Sequence, residues 1–225
     1  MDKIKKEALL YLGYKNSVPD EKTNSEIDKC IDEIKSLKSE KYTYSVFDIL
    51  KIENEIEIIN TNMRLFSKDI INHLKNSNKV AILCVTLGAQ VDFLINKYNK
   101  TNLSYAVLFD ECATAYVEDV CDRAQEEISK IAQKEGFKIT PRFSAGYGDF
   151  PIENQKDIIK ITNALKYINL TVTDECVLIP TKSVTAFIGF TKSEISSCTN
   201  KCLLCNMKEN CKFRRDLIWW KILWF

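Results

Sequence analysis

The stretch KVAILCVTLG, residues 79–88, is an almost uninterrupted apolar run that ends in glycine. A run of this length, bounded by a turn residue, is typical of a strand that is buried on both faces. Such a strand needs other elements to cover it, and the segments before and after it supply them. The run therefore predicts the middle of a sheet inside a folded core.

The segments before this strand carry both kinds of periodicity. Residues 42–49 and 51–59 alternate between apolar and polar side chains, which predicts two strands that form an antiparallel pair. Residues 2–12 predict a short helix. An amphipathic helix is predicted from Ser25, because apolar residues recur there at helical spacing. These residues are Ile27, Cys30, Ile31 and Ile34.

The segments after this strand are also mixed. A long helical pattern covers 102–134, and Gly136 is the expected stop signal. A strand is predicted at 137–143, a helix at 154–165, and two strand segments on either side of Pro180. The pattern predicts an α+β fold in a single domain, followed by a cysteine-bearing tail.

Composition narrows the functional classes. The chain has 225 residues, with 45% hydrophobic and 28% charged residues, enough for a substantial core. A net charge of +1 provides no global attraction for nucleic acid. The chain has a single histidine, His73, which argues strongly against a histidine-based triad or a multi-histidine metal site. No apolar run reaches the length of a membrane span, no signal peptide is read, and nine cysteines suggest a reducing cytoplasm.

The loop RFSAGYGDFP, residues 142–151, has the chemistry of a binding site. Glycine allows a ligand to approach the backbone closely and permits positive φ. Arginine binds a carboxylate through two hydrogen bonds, and the face of tyrosine attracts cations. Together these residues suit a ligand with a carboxylate, a positive centre and a flat base. The alternative interpretation is a glycine-rich strand-to-helix turn that carries a surface arginine.

Two blocks of sequence resemble a known family. The loop reads Arg-x-x-x-Gly-Tyr at Arg142, Gly146 and Tyr147. A second block follows at Thr173, Asp174, Glu175, Pro180, Ser183 and Val184, with Thr185 and Ala186 where the family has Ser-Gly. In order and spacing, these blocks resemble the S-adenosylmethionine-binding activation domain of cobalamin-dependent methionine synthase. The resemblance covers roughly residues 80–190. Within the family, the chain is similar to short, free-standing relatives that have Gly-Tyr-Gly-Asp in the loop.

The resemblance implies both a fold and a task. The fold is a C-shaped single α+β domain, whose twisted antiparallel sheet is flanked by helices. The task belongs to methionine biosynthesis: inactive cob(II)alamin is re-methylated with the methyl group of S-adenosylmethionine and an electron from a flavin protein. The predicted organisation is an N-terminal helix and strand segment at 1–75, the binding core at 76–195, and a cysteine-rich basic and aromatic tail at 196–225.

The resemblance also assigns roles to residues of the loop. Arg142 would hold the ligand carboxylate, and Ser144, Gly146 and the nearby backbone would contact the adenosine part. Tyr147 is the candidate catalytic residue and would lie near the sulfonium, where the methyl group leaves. The family's helical glutamate corresponds to Glu118 in the short relatives and to Thr114 in the register of the large enzyme; Glu118 is preferred. An aspartate that contacts the ligand in the family has no match in this sequence.

Spacing adds a second argument for the helical glutamate. Glu111, Ala115, Glu118 and Asp122 share one stripe of the long helix, so a carboxylate could point at the ligand ammonium. The alternative is a solvated helix face. The turn Thr86-Leu87-Gly88 offers another choice between a backbone contact to the ligand and an ordinary strand-to-helix turn, and the turn is favoured.

Four cysteines near the end of the chain have metal-ligand spacing. Cys198, Cys202, Cys205 and Cys211 form C-x3-C-x2-C-x5-C. Clustered thiolates favour zinc or an iron–sulfur cluster over calcium or magnesium, and the cluster is preferred because it can carry electrons. Redox-active cysteines and cysteines without a role remain the alternatives. The first three also match the radical S-adenosylmethionine motif, but only twenty residues follow Cys205, so that assignment is rejected.

The tail also has a charge and an aromatic end. From residue 198 onward it holds six Lys or Arg and two acidic residues. The basic, aromatic tail could dock an acidic partner or a membrane surface, or its tryptophans could pack on the domain.

The prediction for the whole chain is an accessory activation protein. It would present S-adenosylmethionine to a corrinoid-dependent methionine synthase or another corrinoid protein, with a low-potential electron donor. The alternative is a non-catalytic interaction module with a metal-stapled tail. The sequence leaves open whether the chain itself is an enzyme.

Overall fold

A computed structural model describes residues 2–14 and 17–193 of the protein. Helices and strands alternate irregularly along this part of the chain, as expected for an α+β fold. The helices are α1 (Lys3–Tyr11), α2 (Glu21–Leu37), α3 (Lys68–Leu74), α4 (Ala89–Thr101), α5 (Leu103–Lys134), α6 (Asn154–Ile161) and α7 (Ala164–Ile168). The strands are β1 (Lys41–Ile52), β2 (Glu55–Ile58), β3 (Arg64–Leu65), β4 (Ser77–Thr86), β5 (Lys138–Ile139), β6 (Thr171–Val172), β7 (Leu178–Ile179) and β8 (Ser183–Thr191).

The predicted buried strand is β4, and it lies inside a six-stranded sheet. The strand order is β3-β2-β1-β4-β8-β5, and every neighbouring pair is antiparallel. Leu83 of β4 pairs with Tyr44 of β1 on one side and with Ala186 of β8 on the other. A separate two-stranded sheet joins β6 to β7. The antiparallel sheet flanked by helices confirms the predicted fold class.

Both faces of β4 are covered by apolar layers. Ala81, Leu83 and Val85 belong to a core with buried residues of α1, α2 and α5. Val80 and Ile82 point to the opposite face and join a second core with α3 and α6. Because successive side chains of a strand point to opposite faces, the continuous apolar run serves two cores at once.

The predicted pair at 42–59 is confirmed, but its turn lies elsewhere. β1 is one strand through Ile52, the turn occupies residues 53–54, and Ile49 pairs with Ile58. The break predicted near residue 50 was therefore wrong, because alternation continues through it and Glu53-Asn54 supplies the polar turn. The helix predicted from Ser25 begins earlier, at Glu21, because Asp20 accepts a hydrogen bond from the Thr23 amide at 2.8 Å as its N-cap.

Two further predicted elements are interrupted in the structure. The strand expected at 137–143 is reduced to β5 and one isolated bridge between Phe143 and Phe187, because Pro141 has no amide hydrogen to donate. The helix expected at 154–165 divides into α6 and α7, because Asn163 adopts the left-handed conformation with φ of 51°. The strands predicted on either side of Pro180 are confirmed as β7 and β8. The division at 75 and 195 stays a prediction.

Two phenylalanines on adjacent helices provide a test of the first core. Phe109 of α5 is 0% exposed, whereas Phe93 of α4 is 68% exposed. We expect Phe109→Ala to lower the free energy of unfolding by about 3–5 kcal/mol, because it leaves a cavity. Phe93→Ala should change it by less than about 0.5 kcal/mol. Urea unfolding of both variants checks this, and similar losses in the two would contradict the packing described.

Candidate ligand-binding site

The loop arginine lies against the long helix. The side chain of Arg142 is largely buried, with 12% of it exposed. Its Nη1 donates to Asp122 Oδ1 at 2.7 Å and to Gln125 Oε1 at 3.0 Å, and its Nη2 donates to Glu118 Oε2 at 2.9 Å. The three acceptors are spaced four and three residues apart, so they lie on one stripe of α5. The structure therefore brings together Arg142 and two of the carboxylates that spacing placed on this stripe.

Thr114, the alternative to Glu118 for the family's helical glutamate, contacts a different cation. Lys182 Nζ donates to Thr114 Oγ1 and to Asp110 Oδ2, both at 2.9 Å. Thr114 in turn donates to the carbonyl of Asp110 at 3.0 Å. Of the two candidates for the helical glutamate position, Glu118 contacts Arg142 and Thr114 contacts Lys182.

The other members of the predicted stripe differ in their surroundings. Ala115 is buried in the first core, so it cannot face a ligand. Glu111 is partly buried, and this burial, together with the charge of Asp110, raises the pKa of its carboxyl group. The stripe is therefore only partly a solvated helix face.

The glycine-rich loop is a closed turn. The amide of Tyr147 donates to the Ser144 carbonyl at 3.1 Å, and the amide of Gly146 donates to the Phe150 carbonyl at 2.8 Å. Gly146 has φ of +89°, a conformation that glycine adopts without strain. Since these two amides are used inside the turn, a ligand would reach Gly146 through its bare Cα or its carbonyl group.

Tyr147 projects from this turn. It is 57% exposed, and its ring meets Phe143 edge-on at 5.9 Å between centroids. Although much of the residue is exposed, loss of solvent around its hydroxyl group and then the negative charge of Glu118 raise the pKa of Tyr147, while Arg142 and a hydrogen bond with Ser144 oppose that change. Arg142, Ser144, Gly146, Tyr147 and Glu118 therefore share one neighbourhood.

The second half of the loop is attached to α3. Asp149 accepts hydrogen bonds from the amides of Lys68 at 2.9 Å and Asp69 at 3.0 Å, so it caps that helix. Asp69 Oδ2 accepts from the Asp149 amide at 3.1 Å in return. Gly148 makes this possible, because a Cβ there would overlap the carboxylate of Asp69. Sequence reasoning missed this reciprocal cap, since its two halves are 80 residues apart.

His73 also belongs to this region and was missed. Its Nε2 lies 2.9 Å from Thr140 Oγ1, and its ring packs on Phe143 with 5.0 Å between centroids. The hydroxyl of Thr140 also accepts from the Gly189 amide of β8 at 2.8 Å. His73 thus helps to hold the chain that leads into the loop, and no local sequence signal indicates this.

The turn after β4 is accounted for without a ligand. The Gly88 amide donates to Thr86 Oγ1 at 3.1 Å, and the Leu87 amide donates to the Lys182 carbonyl at 2.9 Å. Ser39 Oγ donates to the Leu87 carbonyl at 2.6 Å. These internal bonds favour the ordinary strand-to-helix turn.

The sequence matches one family model over residues 22–197, described as the vitamin B12 dependent methionine synthase, activation domain. The chain belongs to this family. The match runs from α2 through β8, so the predicted resemblance at 80–190 is confirmed and extends further in both directions. It leaves out α1 and the cysteine tail, residues 198–225 with their four clustered cysteines.

A solved structure supports the same fold. The chain is similar to the structure titled "Crystal Structure of the MetH Reactivation Domain bound to AdoHcy", with a TM-score of 0.64 and 11% sequence identity. The similarity covers 86% of this chain and 78% of that one. Comparison with curated proteins gives no match.

Among residues 2–14 and 17–193, no group of three or more His, Cys, Asp or Glu side chains is placed to hold a metal ion. Cys198, Cys202, Cys205 and Cys211 lie outside the described residues, so their predicted metal remains a prediction. In the described part of this activation-domain relative, no helix combines the length and apolar character needed to span a membrane.

Substitutions at two glycines with positive φ can test the attachment of the loop to α3. Gly148 (φ +58°) faces Asp69, whereas Gly13 (φ +87°) has open space around it. We expect Gly13→Ala to cost about 1–2 kcal/mol of unfolding free energy for backbone strain alone. Gly148→Ala should cost about 1–3 kcal/mol more, because the new methyl group displaces Asp69. Denaturant titration measures both, and equal losses would contradict the close contact.

Proposed function

We propose that this protein binds S-adenosylmethionine and supports reductive re-methylation of cob(II)alamin on a separate cobalamin-dependent methionine synthase or another corrinoid protein. One observation carries the proposal. In an activation-domain fold, the buried guanidinium of Arg142 faces the carboxylates of Glu118 and Asp122 beside the exposed ring of Tyr147. This arrangement offers one cation, two anions and an aromatic face within one site.

These groups fit the parts of S-adenosylmethionine. The guanidinium of Arg142 would bind the carboxylate of the methionine part, and Glu118 would accept the ammonium group. The Arg142–Glu118 pair would open, and each of its two charges would pair with one charged group of the ligand, so neither is left unpaired. The face of Tyr147 would lie near the sulfonium, and Ser144 and Gly146 near the adenosine part. A similar domain was solved with bound AdoHcy, the product left after methyl loss, which supports this assignment.

The role of the protein is to place and orient the donor. When bound, S-adenosylmethionine would supply the methyl group to cobalt and leave as S-adenosylhomocysteine. One electron from a low-potential donor would be consumed, because the cobalt starts as Co(II) and must be reduced before it can accept the methyl group. Arg142 and Glu118 would fix one end of the ligand, and Tyr147 would face the sulfonium. Correct placement can account for much of the rate of such a transfer. A cytoplasmic location belongs to this proposal, supported by five cysteines that form no disulfide in the described part of the chain.

Arg142→Ala should weaken binding of S-adenosylmethionine about ten- to a hundredfold, because a charged hydrogen-bonding group to its carboxylate is lost. Arg123 provides the matched control, since it lies half-exposed on α5 and pairs with Asp119 at 3.1 Å. Arg123→Ala should bind like the wild type. Isothermal titration calorimetry measures all three.

A second ligand separates recognition from folding damage. 5′-Methylthioadenosine lacks the carboxylate and the ammonium group, so Arg142→Ala should bind it as well as the wild type does. Equal losses for both ligands would show that Arg142 is only structural. A wild type without saturable heat for S-adenosylmethionine would refute the assigned site.

A non-catalytic interaction module is the second candidate. It is favoured by the three hydrogen bonds of Arg142 to Glu118, Asp122 and Gln125, since these contacts form without any ligand. The deciding experiment is reductive methylation of a Co(II) corrinoid on a partner protein, with S-adenosylmethionine and a low-potential reductant. The rate is measured once with this protein and once without it. An activator accelerates methylation; a module captures the corrinoid protein in a pull-down but leaves the rate unchanged.

The cysteine tail would add a metal centre. We infer that Cys198, Cys202, Cys205 and Cys211 bind one iron–sulfur cluster, with zinc as the alternative. The family match ends at residue 197, so this centre would be an addition to the activation domain. A cluster is preferred because re-methylation needs a low-potential electron and zinc has no redox chemistry.

Metal binding by the tail should require each of the four cysteine thiolates. Cys202→Ser or Cys205→Ser should lose the metal, because three remaining thiolates leave the site open to exchange. Cys176→Ser, which changes a buried free cysteine of the domain, should keep it. Elemental analysis and absorbance near ~400 nm of anaerobically purified protein distinguish iron from zinc. A wild-type protein that contains no metal and has four freely alkylated thiols would refute both the iron–sulfur cluster and the zinc site. Binding of S-adenosylmethionine should survive either tail substitution.

A further inference from the structure

Helix α1 lies outside the family region, which begins at residue 22, yet it packs on the helix that carries the candidate site. Ile4, Ala8 and Leu9 are buried in the core that includes α5. Two ion pairs attach α1 to α2: Lys5 Nζ lies 2.6 Å from Asp28, and Lys35 Nζ lies 3.0 Å from Asp2, the N-cap of α1. The helix is therefore held in a defined position beside α5.

The start of α1 reaches the ion cluster of Arg142. Lys3 Nζ lies 2.5 Å from Asp122 Oδ2, while Arg142 Nη1 lies 2.7 Å from the other oxygen of the same carboxylate. Burial tends to raise the pKa of Asp122, but the hydrogen bonds from Lys3 and Arg142 outweigh it and lower the pKa. Asp122 is thus a shared anion between two cations on different segments.

The end of α1 lies close to the same site. Tyr11 is its last residue, and burial followed by the charges of Glu118, Tyr147, Glu111 and Asp122 raises its pKa to about 12. These groups act on Tyr11 only at short range, because charge interactions weaken with distance. The Lys3–Asp122 contact places the start of α1 at the candidate site, and the raised pKa of Tyr11 agrees with that position.

We propose that α1 forms part of the ligand site and that Lys3 is a positioning residue for Arg142. By keeping Asp122 paired, Lys3 allows Arg142 to leave this carboxylate and turn to the carboxylate of the ligand. This inference rests on the proposed function, since it concerns how the same site receives S-adenosylmethionine.

The energetic reason is the cost of an unpaired charge. If Arg142 left Asp122 without Lys3 present, the carboxylate would lose its remaining cation in a partly buried position. With Lys3 in place, Asp122 keeps one ion pair before and after binding. Because the side chain of Lys3 is 66% exposed, solvent screens the pair, and the effect on affinity should be small.

The test is a double-mutant cycle read by calorimetry with S-adenosylmethionine and S-adenosylhomocysteine. Lys3→Met keeps the apolar stem and removes the charge, and we expect it to weaken both ligands about two- to fivefold. Lys6→Met is the matched control on the same helix and should bind like the wild type. In the Asp122→Asn background, where Arg142 is already free of that carboxylate, Lys3→Met should have no further effect.

The outcomes separate the two proposals. A wild type that does not bind either ligand overturns both. Wild-type binding with no loss in Lys3→Met overturns the role of Lys3 alone. An equal loss in the wild-type and Asp122→Asn backgrounds, or an equal loss for 5′-methylthioadenosine, would show that Lys3 acts only by stabilising α1, and it would also overturn the proposed role.

Discussion

The structure depends on the burial of β4 between two strands and two apolar layers. Its backbone groups pair with β1 and β8, so no polar edge is left in the interior. Its side chains alternate between two cores, and each core requires helices to cover it. The long helix α5 lies on one face for this reason, and its buried side chains determine which stripe remains available for polar contacts.

The candidate site follows from this arrangement. Phe143 pairs with Phe187 of β8 beyond the end of β5, which places the neighbouring Arg142 at the edge of the sheet, over the polar stripe of α5. A buried guanidinium is costly unless it is fully hydrogen-bonded, and Glu118, Asp122 and Gln125 supply the acceptors. Under the proposed function, the same acceptors make the site exchangeable, since a ligand with a carboxylate and an ammonium group can replace both halves of the ion pair.

The family match covers only part of the chain. The match at 22–197 contains the loop, α5 and the central strands, whereas α1 and the cysteine tail lie outside it. Through Lys3 and Asp122, α1 is connected to the ion cluster of Arg142 in this structure. Residues outside the family match are therefore connected to the candidate site within it.

Much of this could be predicted from the sequence, because the signals are local. The apolar run at 79–88 determined the central strand, and helical spacing determined α5 and the shared stripe of Glu118 and Asp122. Arg142, Gly146 and Tyr147 stood out because rare residue types are close together. Tertiary structure alone decided that Arg142 is paired by α5, that Asp149 and Asp69 cap one another, and that Lys3 reaches Asp122. These contacts join residues from 20 to 119 positions apart, and neither residue type nor spacing specifies which distant charges become neighbours when the chain folds.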